Sequence, residues 1–277
     1  MRTTIPALAL LVTLAAPLPA PAGLHIKPNF LGQGAPPAPE LIAGGGDLQE
    51  IFATAAKAWE RLFRKGGDKW VVRIDFDWDT PGNRIDFNLF GQEFNEEEGG
   101  TPLRITHSTI LFANIPPKFT DEDLGWFADP TPKDNSEYLS YESDVADVGN
   151  GSMNVGRVFS DARGAAVKRI DLLTIAMHEI GHALGLDDEY EGFLHQHLEG
   201  LYIPITSPRP HPGIRILTFT GQSHLAGVIR LDEDQVSSNQ LLMFIQTRTG
   251  IRQLISGADA LAVAQISSYK RPTLPKR

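Results

Sequence analysis

The chain has no cysteine among its 277 residues. Disulfides are therefore excluded, and stability must come from the core and from any bound ions. Basic residues are comparatively few, 25 Lys and Arg against 34 Asp and Glu. Such an acidic balance argues against nucleic acid as a partner and is most simply read as a device for solubility. After the first residues, no stretch is long and apolar enough to span a bilayer. Hydrophobic content of 42% and charged content of 21% are ordinary for a globular chain. At this length one large domain or two small ones are expected.

The N-terminus has the one long apolar run. Met1-Arg2 precedes a hydrophobic stretch from Ile5 to Leu18, then Ala20-Pro21-Ala22. A basic start, an apolar core and small residues at cleavage spacing predict a signal peptide over residues 1–22. Pro21 disfavours cleavage after Ala20, so the cut is expected after Ala22. The alternative is an uncleaved anchor, but the run is short for a bilayer and prolines break its end. The expected product is secreted, extracellular or periplasmic, with no stable membrane anchor.

Residues 23–46 are rich in Pro, Gly and Ala and read as a linker or short pro-segment. Asp47 and Glu50 sit at capping-box spacing, and Leu48, Ile51, Phe52, Ala55, Trp59 and Leu62 follow the helical period up to Gly66-Gly67. Val72, Ile74, Phe76 and Trp78 alternate with charged residues and predict a half-buried strand. Pro81-Gly82-Asn83 is turn chemistry. Ile85, Phe87 and Leu89 suggest a second strand, residues 93–100 an acidic, glycine-rich loop, and residues 103–113 a third strand. Residues 114–168 read as loop-rich, and Asp144 to Gly151 as a polar surface loop or a calcium site. Asp171 caps a helix through the 170s. Residues 186–240 are loop-like apart from a short strand at 214–219. Ser256 and Asp259 cap a last helix, and residues 271–277 form a basic tail. Order and pattern predict an α+β fold: one domain over residues 47–270, divided into subdomains at 47–185 and 186–270.

The chemistry concentrates in His178-Glu179-Ile180-Gly181-His182-Ala183-Leu184-Gly185-Leu186-Asp187-Asp188. Histidines four apart on a helix project from one face, so both imidazoles can reach one metal ion. Glu179 lies beside that ion and can hold a water that the metal has made acidic. Gly185 can end the helix in a left-handed turn. The chain can then fold back and offer Asp188 as a third ligand. Asp187 is a competitor whose offset is wrong by one.

At these residues the chain resembles the metzincin metallopeptidases, whose signature is H-E-x-x-H-x-x-G-x-x-H followed by a methionine turn. His178, Glu179, His182 and Gly185 match. Asp188 departs, as it does in the snapalysin-like members. Leu241-Leu242-Met243-Phe244 resembles the methionine turn, an apolar floor beneath the ligands, although about fifty residues separate it from Asp188 and Ile245 stands where tyrosine is often found. The resemblance implies a zincin fold: a mixed twisted sheet with an active-site helix, then a smaller loop-rich C-terminal subdomain ending in a helix. It also implies a zinc endopeptidase with a cleft between two subdomains, acting on protein or peptide substrates; a monomer is expected. His178, His182 and Asp188 would hold zinc and Glu179 would be the general base. The absence of cysteine excludes a cysteine-switch pro-segment. Calcium is a second candidate ion.

Other residues compete for roles. His195 and His197 have a spacing that suits a second metal, and His224 lies in the long insertion; all three read as surface histidines. Glu189 and Glu191 could replace Asp188 only if the helix ran past Gly185. Tyr190, Tyr202 and Tyr269 are candidates for oxyanion stabilisation. Two rival functions remain: a zinc-bound surface protein without catalysis, against which the intact Glu179 argues, and a zinc hydrolase of a non-peptide amide.

Overall fold

The computed structural model describes residues 23–275 apart from 65–68, 81–84, 86–88, 119, 121–122, 207–208 and 245. The expected signal peptide, the Gly66-Gly67 helix stop and the Pro81-Gly82-Asn83 turn lie outside the described residues.

The architecture is α+β, with three α-helices and several small sheets among the described residues. Strand β1 (Gly23–Phe30) opens the chain and β2 (Ile42–Ala43) follows. Helix α1 (Leu48–Leu62) is capped by the Asp47 carboxylate, which accepts the Gln49 N–H. Glu50 does not close the box; its carboxylate pairs with Lys133 at 2.9 Å. Strands β3 (Lys69–Trp78), β4 (Gly91–Gly99) and β5 (Arg104–Phe112) join β1 in a sheet of order β1-β3-β5-β4. The first three run parallel, and β4 pairs antiparallel to β5 at the end of the sheet.

Three sequence expectations change here. Residues 23–46 are not simply a linker, because β1 adds to β3 in register from Gly23↔Lys69 to Phe30↔Phe76. The alternation of Leu24 and Ile26 with polar residues is a strand period hidden in a Pro- and Gly-rich segment. Residues 93–99, expected as a loop, belong to β4. A terminal strand facing an open cleft can carry polar side chains on both faces, so its hydrophobic signal is weak. Ile85 and Leu89, expected in a strand, are in none.

Short β6 (Trp126–Phe127) lies in a small sheet, and β7 (Tyr138–Asp147) and β8 (Ser152–Ala162) form a long hairpin where loops were expected. The segment from Asp144 to Gly151 contains the hairpin turn. There the Asp147 carboxylate accepts the Gly149 N–H at 2.9 Å. Strand β9 (Ile170–Asp171) pairs with β6 and runs straight into α2 (Leu172–Ala183). Beyond α2, a wide single turn at Gly192–His197 leads to β10 (Tyr202–Pro204), β11 (Arg215–Thr218), β12 (Leu225–Ile229) and β13 (Gln235–Ser237), which make a second antiparallel sheet. Loop-like character was expected there apart from the strand now seen as β11. Strand β14 (Arg252–Gln253) pairs with β8, and α3 (Gly257–Ile266) follows. Ser256 and Asp259 form the reciprocal capping box at its start.

One continuous buried cluster joins α1, both large sheets, α2 and α3, so the two expected subdomains share a core. Trp59 of α1 is fully buried and donates its indole N–H to Met177 O of α2 at 2.8 Å. Asp171 fixes the other end of α2 by accepting the Thr174 N–H at 3.0 Å. The same carboxylate meets the buried guanidinium of Arg252, which also pairs with Asp129 at 2.6 Å. Three charges buried together are tolerable only because the single guanidinium hydrogen-bonds both carboxylates and offsets part of their charge. The result is a helix held at its cap, its middle and, through Gly185 with φ +115°, its exit.

Candidate metal centre

Helix α2 sets His178 above His182 on one face, with their Nε2 atoms 3.1 Å apart. Two nitrogens on one tetrahedral zinc, each about 2.0–2.1 Å from it, lie about 3.3 Å apart, so the pair is spaced as ligands are. Each ring is oriented through its other nitrogen. His178 Nδ1 donates to Leu242 O at 2.8 Å, and His182 Nδ1 donates to Leu186 O. A carbonyl can only accept, so both protons sit on Nδ1 and both Nε2 lone pairs face the shared position.

The third member of the group is His224. One ligand atom from each of His178, His182 and His224 lies within 4.8 Å of the others. Its ring centroid is 5.2 Å from that of His178 and 5.1 Å from that of His182. Asp188, expected in this place, is not part of the group. Its carboxylate accepts the backbone N–H of Ser223 at 2.7 Å. On the other side of His224, Leu225 N–H donates to Met243 O at 2.7 Å. His224 is thus carried on a backbone pinned before and after it, and Asp188 supplies one of the pins. The reading of His224 as a surface histidine is corrected by this placement.

Burial disfavours the charged form of all three imidazoles, and the neighbouring histidine adds to the effect in each. His178, His182 and His224 are each lowered to about 3. Neutral imidazoles are what a divalent cation requires of its ligands. The donor set therefore fits zinc, which accepts three nitrogen ligands and leaves a fourth position open in catalytic sites.

Met243 lies beneath the helix. It is fully buried, and a methyl group added at Gly181 would collide with its sulfur and meet Trp59 as well. Glycine at 181 is what lets α2 descend onto this floor. The floor is itself fixed: the Asp259 carboxylate accepts the N–H groups of Leu242 and Met243, both at 3.1 Å. A single segment, 241–243, thereby orients His178, anchors the strand that follows His224 and ties both to α3.

Glu179 is buried beside the imidazoles, against the backbone of β4. A Cβ on Gly91 would stand 2.9 Å from Glu179 Oε1, so the close approach depends on glycine there. Burial pushes the Glu179 carboxyl up to about 8, while the Glu93 N–H, donating to it, works the other way. Glu179 and the three histidines open into a cleft of about 380 Å³ between β4 on one side and residues 187–189 and 223–224 on the other.

The remaining candidates fall elsewhere. His195 is exposed and contacts Glu191 at 3.4 Å, and His197 lies near Arg209, outside the histidine group. Tyr190 donates to Leu103 O at 2.7 Å, Tyr269 to Phe63 O, and Tyr202 stacks under Arg215, so none of the three lines the cleft. Glu189 lines it without belonging to the ligand group, and Glu191 does not line it. Among the described residues, the histidine triad is the one group of three whose donor atoms converge for a metal, and Asp144–Gly151 supplies no second one for calcium. No helix among the described residues is long and apolar enough to cross a membrane. No protein-family model, curated protein or solved structure matches the chain.

Proposed function

We propose that this protein is a secreted zinc-dependent endopeptidase of metzincin-like, zincin design. The observation that carries the reading is the convergence of His178, His182 and His224 beside the buried Glu179 at the head of an open cleft. Met243 beneath Gly181 and the N-terminal apolar run support the family likeness and the secretion respectively. His178 and His182 would hold the ion through the nitrogens left free by their backbone partners, and His224 would supply the third. Zinc, when bound, supplies Lewis-acid polarisation of a carbonyl and lowers the pKa of water. Glu179 would accept a proton from the attacking water and deliver it to the leaving amine. The Gly91–Glu93 backbone holds that carboxylate in place, and β4 offers an extended wall along which a peptide chain can lie.

The test is hydrolysis of casein or gelatin by the zinc-loaded protein with and without a chelator, in parallel with Glu179→Ala. Chelator-sensitive cleavage that the variant lacks is the expected result. A protein that binds zinc yet cleaves neither substrate nor a peptide library would be a zinc-bound binding protein or a hydrolase of some other amide.

A further inference from the structure

The cleft is one-sided in charge. Among the described residues five carboxylates line it, Glu93, Glu179, Asp187, Asp188 and Glu189, and no lysine or arginine does. Glu179 belongs to the proposed chemistry and Asp188 is engaged by Ser223. The other three lie on two elements, Glu93 on β4 and Asp187 and Glu189 on the turn beyond α2.

Two of their oxygens are in an unusual state. Glu93 Oε1 and Asp187 Oδ2 are both buried, and neither accepts a well-formed hydrogen bond among the described residues, although the Ser108 hydroxyl lies beside the Glu93 carboxyl. The second Asp187 oxygen is used locally, accepting the Glu189 N–H at 3.0 Å. Buried carboxylate oxygens without donors are costly, and folded chains rarely keep them without a use. These atoms are not arranged for a second metal, since they form no converging group of the kind the histidines make. Acceptors carried on two different elements of one cleft instead suit a cation that carries several N–H donors.

Resting on the peptidase reading, we propose that Glu93, Asp187 and Glu189 form a subsite for a cationic group of the substrate, an ammonium or guanidinium next to the bond to be cleaved. Such a cation would give Glu93 Oε1 and Asp187 Oδ2 the donors they lack. A neutral side chain of similar size would leave both unpaired, and a site built on polar partners discriminates through that penalty. The electrostatics agree. Burial pushes the Glu93 carboxyl well above the usual carboxylate range, and the charges of Asp187, Glu179 and Glu189 add to it, against the Ser108 hydroxyl. A cation bound among them would reverse that push.

The cation can come from a lysine or arginine side chain or from a peptide's own N-terminus. Full-length zinc-loaded protein carrying Glu179→Gln would bind peptides without turnover, read by fluorescence anisotropy. One pair of labelled peptides differs by lysine against norleucine at each position in turn; a second pair differs by a free against an acetylated N-terminus. About tenfold tighter binding of the cationic member is expected in one pair, as for one charge-assisted contact. A lysine effect assigns the subsite to a side chain, and an N-terminal effect assigns it to the chain end. Adding Glu93→Gln or the more exposed Glu189→Gln should shrink the preference. Equal binding within both pairs overturns the proposal, whatever the variants do. Cleavage by the protein with Glu179 intact is scored separately: turnover without cation preference removes the subsite alone, and cation preference without turnover removes the peptidase reading alone.

Discussion

Asp188 Oδ1 accepts the backbone N–H of Ser223 at 2.7 Å, and Ser223 directly precedes His224. The acid in the third-ligand position of the motif thus bears on the candidate metal site through the backbone of a distant histidine. This separates two roles that the sequence merged, ligand and anchor.

Zinc affinity distinguishes them. His224→Ala removes a donor and is expected to cost more than Asp188→Ala, which loosens a support and should cost about 10- to 100-fold. Asp188→Asn keeps an acceptor for the Ser223 N–H and should stay near the parent. Competition with a chromophoric chelator measures all three. If Asp188→Asn loses as much zinc affinity as His224→Ala, the carboxylate is itself a ligand.

Glu179→Ala should bind zinc nearly as the parent does and lose about 10²- to 10⁴-fold in turnover, the usual contribution of a general base. Metal content by atomic spectroscopy and kcat on an unfolded protein substrate check both halves. Full activity in this variant contradicts the role assigned to Glu179.

Gly181→Ala drives a methyl into the Met243 sulfur. Overpacking of this kind costs about 1–3 kcal/mol, measurable as a lower urea midpoint. Shortening the partner in Gly181→Ala/Met243→Ala should recover part of that loss. Strict additivity of the two single changes would show that the contact is not the cause.

Arg252→Ala strands Asp129 and Asp171 without their cation in a fully buried setting. Removal of one partner from such a network costs about 3–5 kcal/mol. Because Asp171 caps α2, zinc binding should weaken along with stability. A urea midpoint unchanged from the parent would mean that water or a rearranged side chain replaces the guanidinium.

Asp187 gives a pH signature. Burial, with the charges of Glu189, Asp188 and Glu98, raises its carboxyl from 3.8 to about 6, against the Glu189 N–H. The folded state therefore holds this proton more tightly than the unfolded chain does. Its contribution to stability is full below about pH 4 and is lost as pH rises through 6. Metal-free Asp187→Asn should match the parent at pH 4 and exceed it by about 1 kcal/mol at pH 7, after allowance for partial solvent screening. Denaturant titrations at the two pH values decide it; a constant difference removes the assignment.

The parts legible in the sequence are local ones. Helix caps at Asp47, Asp171 and Ser256, the stacked His178 and His182, and the left-handed Gly185 depend on residues within about one helical turn of each other. Alternation likewise exposed β3. The strand β4 escaped because a polar cleft wall lacks the apolar period, and the β7–β8 hairpin because turn residues dominated its middle.

Chain composition and short-range spacing thus determined an α+β chain without disulfides, with two imidazoles and an acid on one helix. Tertiary structure alone decided which side chain completes the triad. His224 arrives through Ser223 binding Asp188 and Leu225 binding Met243, contacts that bridge 35 and 18 residues of sequence. Backbone hydrogen bonds between distant segments leave no periodic mark on the residues that make them, so only the folded chain reveals the pairing.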